Sequence, residues 1–354
     1  MAVQEVILAT NPAGPVEYSE NAVNKVLSEG YLIADTKKDG VQLNLCAHIL
    51  RGLGGAARVQ FLSRAGKYLP AIQRAWEGSV TELHFTKLLQ DDMCIYPEGF
   101  MLQAEIVTPG FPAEVTAGNL RRKSKPLDLN SIEIHVFSVV PLDVIESGED
   151  HNVTHAVMKY HVEAMVGLLQ KHVPQIAWKT IESIDVFTQE ELMEVYEARR
   201  EAGEEGLVVK DPNAIWKRGK KVGQWKMKPE DTIDGKVVGI IWGTPGLANE
   251  GKVIGFEVEL EDGHVVNACG LTQDQKEEFT RAVAEASYTE DNKGWRGEHM
   301  LLHQRGLVSF VESIVNPFQG WAVEVAFMER FKDGSLRHPT FNRWRGISDP
   351  TVKE

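Results

Sequence analysis

Two short runs of strand character, residues 31–35 and 41–45, are separated only by Thr36-Lys37-Lys38-Asp39-Gly40, so the backbone must turn a corner with two ammonium groups beside it. The first run, Tyr31-Leu32-Ile33-Ala34-Asp35, is apolar until its last residue, and the second, Val41-Gln42-Leu43-Asn44-Leu45, alternates apolar and polar. Asp-Gly is an ordinary hairpin signal, and the plainest reading of this corner is a solvated β-turn. A lysine held at such a corner can also serve as a covalent nucleophile, and groups suited to assist it recur further along the chain.

The chain has 354 residues, long for one core and comfortable for two domains, and its 43% apolar and 25% charged residues are those of an ordinary globular protein. Met1-Ala2-Val3-Gln4-Glu5 begins no basic-then-apolar leader, and no eighteen apolar residues run together; a cytoplasmic protein with no membrane association is expected. Cys46, Cys94 and Cys269 are far apart and never form CxxC, which predicts free thiols rather than a disulfide framework or a zinc ribbon.

A net charge of −13 argues at first against a polyanionic partner, but the distribution overrides the sum. From Trp216 to Lys228 the sequence reads WKRGKKVGQWKMK, with Lys217, Arg218, Lys220, Lys221, Lys226 and Lys228 and no acidic residue. Trp216 and Trp225 interleave with these cations, a texture suited to nucleic acid. A second basic cluster, Arg121-Arg122-Lys123 with Lys125, reads equally well as a solvated face.

Up to residue 229 the pattern is α+β. Strands are expected at 31–35, 41–49, 58–63, 100–107, 132–140, 205–210 and 224–228, and helices at 155–171 and 188–202. The first helix places Met158, Val162, Met165, Leu168 and Leu169 on one face, and the second opens with a Thr188/Glu191 capping box. The polar stretch Pro229-Glu230-Asp231-Thr232-Ile233-Asp234-Gly235 marks a hinge, giving domains of 1–229 and 230–354. Beyond it, strands at 236–241, 253–260, 264–268 and 322–328 with one helix at 272–286 suit a small β-barrel of the OB type.

An amine nucleophile must be unprotonated when it attacks, which burial or nearby cations favour, and Lys38 and the later basic run could supply the cations. If the electrophile is a nucleotide α-phosphate, the site also needs carboxylates for a divalent metal and cations facing the departing pyrophosphate. Glu105 ends the strand that starts at Gly99, and Glu205 and Lys210 flank the apolar run Gly206-Leu207-Val208-Val209.

Taken in order, Lys37-Lys38-Asp39-Gly40, Ser63-Arg64, Glu105, Phe137, Glu205 to Lys210 and Lys226-Met227-Lys228 resemble the covalent nucleotidyltransferases. The resemblance is greatest to the compact ATP-dependent DNA ligases of bacteriophages. It extends over nearly the whole chain through Gly243-Thr244 to Glu257 and Asp333-Gly334-Ser335-Leu336-Arg337-His338-Pro339-Thr340-Phe341. It implies a nucleotidyltransferase (adenylation) domain of antiparallel sheets with helices, followed by an OB-fold domain. It implies further that Lys37 forms a phosphoramidate with AMP from ATP, with Asp35 and Thr36 beside the adenine, Asp35 accepting from its amino group, and Phe137 stacked on the ring. Arg64 would reach the ribose or phosphate, and Glu105 and Glu205 would handle the ribose and Mg2+. Lys210, Lys226 and Lys228 would face the nucleotide, Lys220 its triphosphate, and Arg345 stands near a family position in the last motif. The implied partner is nicked double-stranded DNA, met by a monomer through Gln42, Arg121, Arg122, Lys123, Lys217 and Arg218, with AMP passed to the 5′-phosphate before the 3′-hydroxyl displaces it.

Each residue also has a plainer reading. Phe137 reads as a core aromatic, Ser63-Arg64 as a turn, Glu105 and Glu205 as solvated strand ends, and Lys210, Lys226 and Lys228 as edge-strand lysines that deter aggregation. The chain also departs from the family pattern. Gln42 stands where the family has arginine, supplying a hydrogen bond but no charge, and Gln103-Ala104 precedes Glu105 where the family has Asp-Gly. An RNA ligase, a capping guanylyltransferase and a nick-binding protein that does not seal are the alternatives. Gly246 to Val253 is no P-loop, being one residue short, lacking the hydroxyl for magnesium and joining two expected strands.

Overall fold

The corner at Lys37–Gly40 is not a hairpin. In the computed structural model, which describes residues 5–50, 55–77, 82–229, 231–287, 314–331 and 333–346, the strands on either side of it belong to different sheets. The chain divides into two compact units, Met1–Met193 with Leu207–Met227, and Glu194–Gly206 with Lys228–Glu354.

In chain order, the elements up to residue 227 are β1 (Gly14–Glu17), α1 (Glu20–Glu29), β2 (Leu32–Lys37), β3 (Val41–Ile49), β4 (Ala57–Ser63), α2 (Pro70–Glu77), α3 (Glu82–Leu89), β5 (Gly99–Val107), α4 (Ala113–Arg121) and β6 (Glu133–Pro141). They continue with α5 (Leu142–Ser147), β7 (His151–Thr154), α6 (His155–His172), β8 (Ala177–Thr180), β9 (Ser183–Val186), α7 (Gln189–Glu201), β10 (Gly206–Lys210), β11 (Ile215–Trp216) and β12 (Lys220–Met227). One five-stranded sheet has the order β1-β12-β10-β2-β9 and the other β4-β3-β5-β6-β8, while β7 and β11 form a separate pair. β2 with β9, β10 with β12, β3 with β4 and β5, and β5 with β6 pair antiparallel, while β1 with β12 and β6 with β8 pair in parallel.

The second sheet is half of the larger core. Leu43, Leu45, Phe61, Phe100, Leu102, Val136 and Val139 are buried with Met158, Val162, Met165 and Leu169 of α6. The apolar spacing in 155–171 thus marks the packed stripe of α6, and Thr154 caps it by accepting from the Val157 N–H. At α7, Thr188 Oγ1 accepts from Glu191 N at 3.1 Å, while the Glu191 carboxylate takes the Phe187 N–H at 2.7 Å, one residue further back than a capping box requires. The basic run differs from its expected role, because Trp216 and Trp225 are core residues, 1% and 3% exposed, and offer no stacking face to nucleic acid. Cys46, Cys94 and Cys269 are free thiols.

The second unit holds β13 (Asp231–Trp242), β14 (Val253–Leu260), β15 (Val265–Ala268), α8 (Gln273–Ala286), β16 (Ala322–Phe327), β17 (Glu329–Arg330), β18 (Leu336–Arg337) and β19 (Thr340–Trp344). Its sheet runs β15-β14-β13-β16-β19 around an aromatic centre of Phe256, Phe279, Phe318, Phe341 and Trp344. Among the described residues the expected barrel is not closed. Its two edge strands approach through a bridge from Cys269 to Thr340, with Phe341 N donating to Cys269 O at 2.9 Å. α8 has a full capping box from Thr272 and Gln275. Residues 243–252 link β13 to β14, so the P-loop-like stretch opens no helix. Among the described residues, no helix is long and apolar enough to cross a membrane.

Candidate active site

A cleft of about 140 Å³ opens between β2, β6 and α6, lined among others by Asp35, Phe137, His155, Ser183 and Lys210. At its base the Asp35 carboxylate and the Lys210 ammonium are 2.6 Å apart, and the two residues are only 5% and 8% exposed. Lys210 and Lys226 sit on interior strands, so the edge-strand reading of these lysines does not hold.

Phe137 owes its aim to a β-bulge. Gln103 pairs with Ser138 and Ala104 with Val136, leaving Phe137 as the extra residue on β6 and turning its ring toward the cleft, 5.9 Å from Lys210 Nζ. It is half-buried where its strand neighbours are buried, so it is not a core aromatic. His155, at the start of α6, is held neutral: burial pushes its imidazole down to about 3, and the Lys210 charge acts the same way. Ser183 Oγ lines the cleft, is buried, and has no partner among the described residues. A polar, aromatic-walled cleft with an unspent hydroxyl fits a heteroaromatic base with hydrogen-bonding edges.

Lys37 follows Asp35 by two residues in β2, so both project from the same face of the strand. The corner beyond it is packed against β5: a Cβ on Gly40 would lie 2.4 Å from Ile106 O and 3.0 Å from Glu105 Cγ. Only a glycine lets the corner approach β5 and sit against Glu105. Glu105 pairs across the sheet with Gln42 on one side and His135 on the other. His135 Nε2 meets Glu133 at 3.1 Å, and burial, aided by the Lys38 charge, keeps the ring below its ordinary pKa.

The other assigned residues fall as follows. Lys226 Nζ lies 2.8 Å from Glu17, Lys220 is exposed on β12, and Arg64 follows β4. In the second unit, Lys228 and Glu205 form an ion pair at 3.0 Å, and Arg345 clasps Asp234 through two bonds of 2.9 and 3.1 Å. Arg121, Arg122, Lys123 and Lys217 are exposed. Arg218 is different. Its guanidinium donates to the carbonyls of Thr10, Val144, Ile145 and Glu149, which makes it a backbone clasp rather than a free phosphate contact.

Sequence reasoning missed His155, His135 and Ser183, whose places in the site come from tertiary packing. It also left Gln103 unexplained. Its amide donates to Ala13 O at 3.0 Å and its carbonyl accepts from the Trp216 indole at 2.6 Å, so a residue that departs from the family pattern serves as a buried tie.

No group of three or more His, Cys, Asp or Glu side chains suited to a metal occurs among the described residues. A magnesium ion takes one or two carboxylates and completes its shell with phosphate and water oxygens, and single carboxylates such as Glu105 and Glu205 have the hard oxygen donors it requires.

The fold carries a base-sized cleft with a lysine two residues along the same strand, an arrangement suited to nucleotidyl transfer. The ATP dependent DNA ligase domain matches residues 13–228, and the DNA ligase C-terminal domain matches residues 229–345. The chain is 39% identical to the DNA ligase of Escherichia phage T7, with 97% of this chain and 98% of that protein covered. It is 38% identical to the DNA ligase of Enterobacteria phage T3 over the same shares. The solved ATP-dependent DNA ligase of bacteriophage T7 in complex with ATP superposes with a TM-score of 0.80 at 40% identity, covering 96% of this chain and 99% of that one. The chain belongs to the ATP-dependent DNA ligases. It seals nicks in duplex DNA, with ATP as the adenylate donor and Mg2+ as the metal.

Proposed function

We propose that Lys37 is the nucleophile of this ligase and that the cleft beneath Phe137 seats the adenine of ATP. The observation that carries this reading is the buried Asp35–Lys210 pair at the base of an aromatic-walled cleft, two residues along β2 from Lys37. Lys37 Nζ attacks the α-phosphorus, a P–N bond forms, the bond to the β-phosphate oxygen breaks, and pyrophosphate leaves with that electron pair while the amine loses its proton. An oxygen of the DNA 5′-phosphate then attacks the same phosphorus and releases the lysine. The 3′-hydroxyl next attacks the DNA phosphorus, forming the phosphodiester and expelling AMP.

Phe137 stacks on the base, and Asp35 and Lys210 offer an acceptor and a donor to its edge. Thr36 stays beside the base with its side chain on the opposite face of β2. Arg64, Lys220, Lys226 and Lys228 face the phosphates. When bound, magnesium withdraws charge from the phosphate oxygens, and Glu105 and Glu205 are the carboxylates that would hold it. Lys217, Arg121, Arg122 and Lys123 contact the duplex backbone largely without regard to sequence. Gln42, opposite Glu105, gives a neutral hydrogen bond near the nick. The division into a nucleotidyltransferase domain of 1–229 and an OB domain of 230–354, a monomer in solution, and action in the cytoplasm of a bacterial host complete the reading.

The test of substrate is a gel assay of sealing on matched nicked duplexes. Joining of nicked DNA with little joining of nicked RNA supports the reading; preferential joining of RNA overturns it in favour of an RNA ligase, and binding without joining in favour of a non-sealing nick binder.

A further inference from the structure

A groove of about 600 Å³ opens at the end of the second sheet remote from the corner, where β3 finishes, β5 begins and α5 follows β6. Here His48 pairs with Gly99, six residues along both strands from the Gln42–Glu105 pair, which sets the groove about 20 Å from the residues assigned to the nick and the metal. One wall is the loop between α3 and β5, and this loop is tied at both ends. At its start the Asp91 carboxylate takes the Met93 N–H at 3.0 Å and the Asp91 carbonyl takes the Cys94 N–H at 2.8 Å, while Lys171 and His172 of α6 hold the same carboxylate. Toward its end the Tyr96 hydroxyl lies 3.1 Å from His151 Nε2 and 3.2 Å from His161 Nδ1. Burial keeps both imidazoles below their ordinary pKa, so one neutral ring accepts from the phenol and the other can donate to it.

Between those ties the loop turns apolar side chains outward. Met93 is 73% exposed and Ile95, on the groove wall, 37%, and Ile49, Leu50 and Pro97 continue the apolar lining. Exposed apolar groups on a backbone that is already ordered need little further ordering to bind a partner. The rim is acidic: Glu98, Asp143 and Glu146 line it, and among the described residues no lysine or arginine does. His48, also on the wall, adds little positive charge, because burial and then Arg58 lower its pKa against the pull of Glu146. We propose that this groove docks a protein partner through a short segment that carries lysine or arginine beside an apolar anchor. The anchor seats against Ile95 and Leu50, and the cation faces Asp143 and Glu146. Nucleic acid does not suit a carboxylate rim. Nor does a second copy of this chain, since a two-fold contact would set the same carboxylates against each other. A partner held here leaves the corner and the nucleotide cleft open, so it recruits the ligase without competing with sealing.

The probe is a displayed library of random short peptides, selected on the full-length chain and counter-screened on Ile95→Asp and on Asp143→Asn combined with Glu146→Gln, all at exposed positions. The selected sequences should be rich in lysine or arginine next to leucine, phenylalanine or tryptophan. A synthetic peptide of their consensus should bind about tenfold or more weakly to Ile95→Asp and a few-fold more weakly to the double variant, with melting temperatures held and nick sealing unchanged. A selection that yields no saturable binder overturns the proposal, as do selected peptides that are neutral or acidic or that bind native chain and variants alike. Displacement of the peptide by an equal concentration of spermidine would reduce the groove to a general attraction for cations and overturns it too. Displacement by nicked duplex would give the face to DNA, and a concentration-dependent dimer in sedimentation that is lost in Ile95→Asp would give it to a second copy; either result overturns the proposal.

Discussion

Gly40 is where backbone geometry and chemistry are most closely tied. With its Cβ position 2.4 Å from Ile106 O, Gly40→Ala must push the corner off β5. It should destabilise the fold by roughly 1–3 kcal/mol, read from denaturant midpoints, and slow adduct formation beyond what the lower stability explains. The Asp35–Lys210 pair gives a second prediction. Lys210→Met leaves a buried carboxylate without compensation and should cost roughly 3–5 kcal/mol, and adding Asp35→Asn should recover a large part of that loss. Chemical denaturation of the two variants measures both numbers. At this scale the strand-to-strand corner carrying Lys37 was legible, because it is a local pattern. The aim of Phe137 was not, since it depends on a bulge in the pairing of β5 with β6, and a period-two reading of either strand alone cannot show it.

Among elements, α3 and α6 are joined by one carboxylate. Asp91, just after α3, accepts at 2.7 Å from both Lys171 and His172 at the end of α6, and from Met93 N at 3.0 Å. The bonds from Lys171 and then His172 hold its carboxyl well below the ordinary 3.8. A depressed folded-state value means that the stabilisation is complete above the unfolded value and is lost as pH falls through and below it. Asp91→Asn should therefore flatten the fall in stability below about pH 4 and lower stability at neutral pH, measured by melting across a pH series. The long elements were legible for a physical reason: α6 carries an apolar stripe, α7 an N-capping threonine and α8 a capping box, and the strands around Glu105 and Phe137 are predominantly apolar. β1 and α1 were not. β1 is four residues with a proline, pairing in parallel with a partner some two hundred positions away, and α1 buries only Val23.

Across the whole molecule, a net charge of −13 coexists with a cationic surface because the cations are segregated rather than numerous. Neutralising Arg121, Arg122 and Lys123 together should weaken binding to nicked duplex and lower the salt dependence by about one ion for each phosphate no longer neutralised, with the AMP adduct still formed. Arg218→Ala should behave differently, lowering the melting temperature through the carbonyls it releases while changing the salt slope little. Salt-dependent binding curves beside melting curves separate the two behaviours. Read along the sequence, Arg218 groups with the exposed cations, and Trp216 and Trp225 with the nucleic acid. Neither reading survives packing, because a charge run or an aromatic in one dimension does not say which side chains face inward.

Incubating the full chain with ATP and magnesium and weighing it intact tests the central assignment. One AMP should be gained by the native chain and none by a folded Lys37→Ala variant. An adduct of unchanged extent in that variant would contradict the account, because the adenylate would then rest on some other side chain.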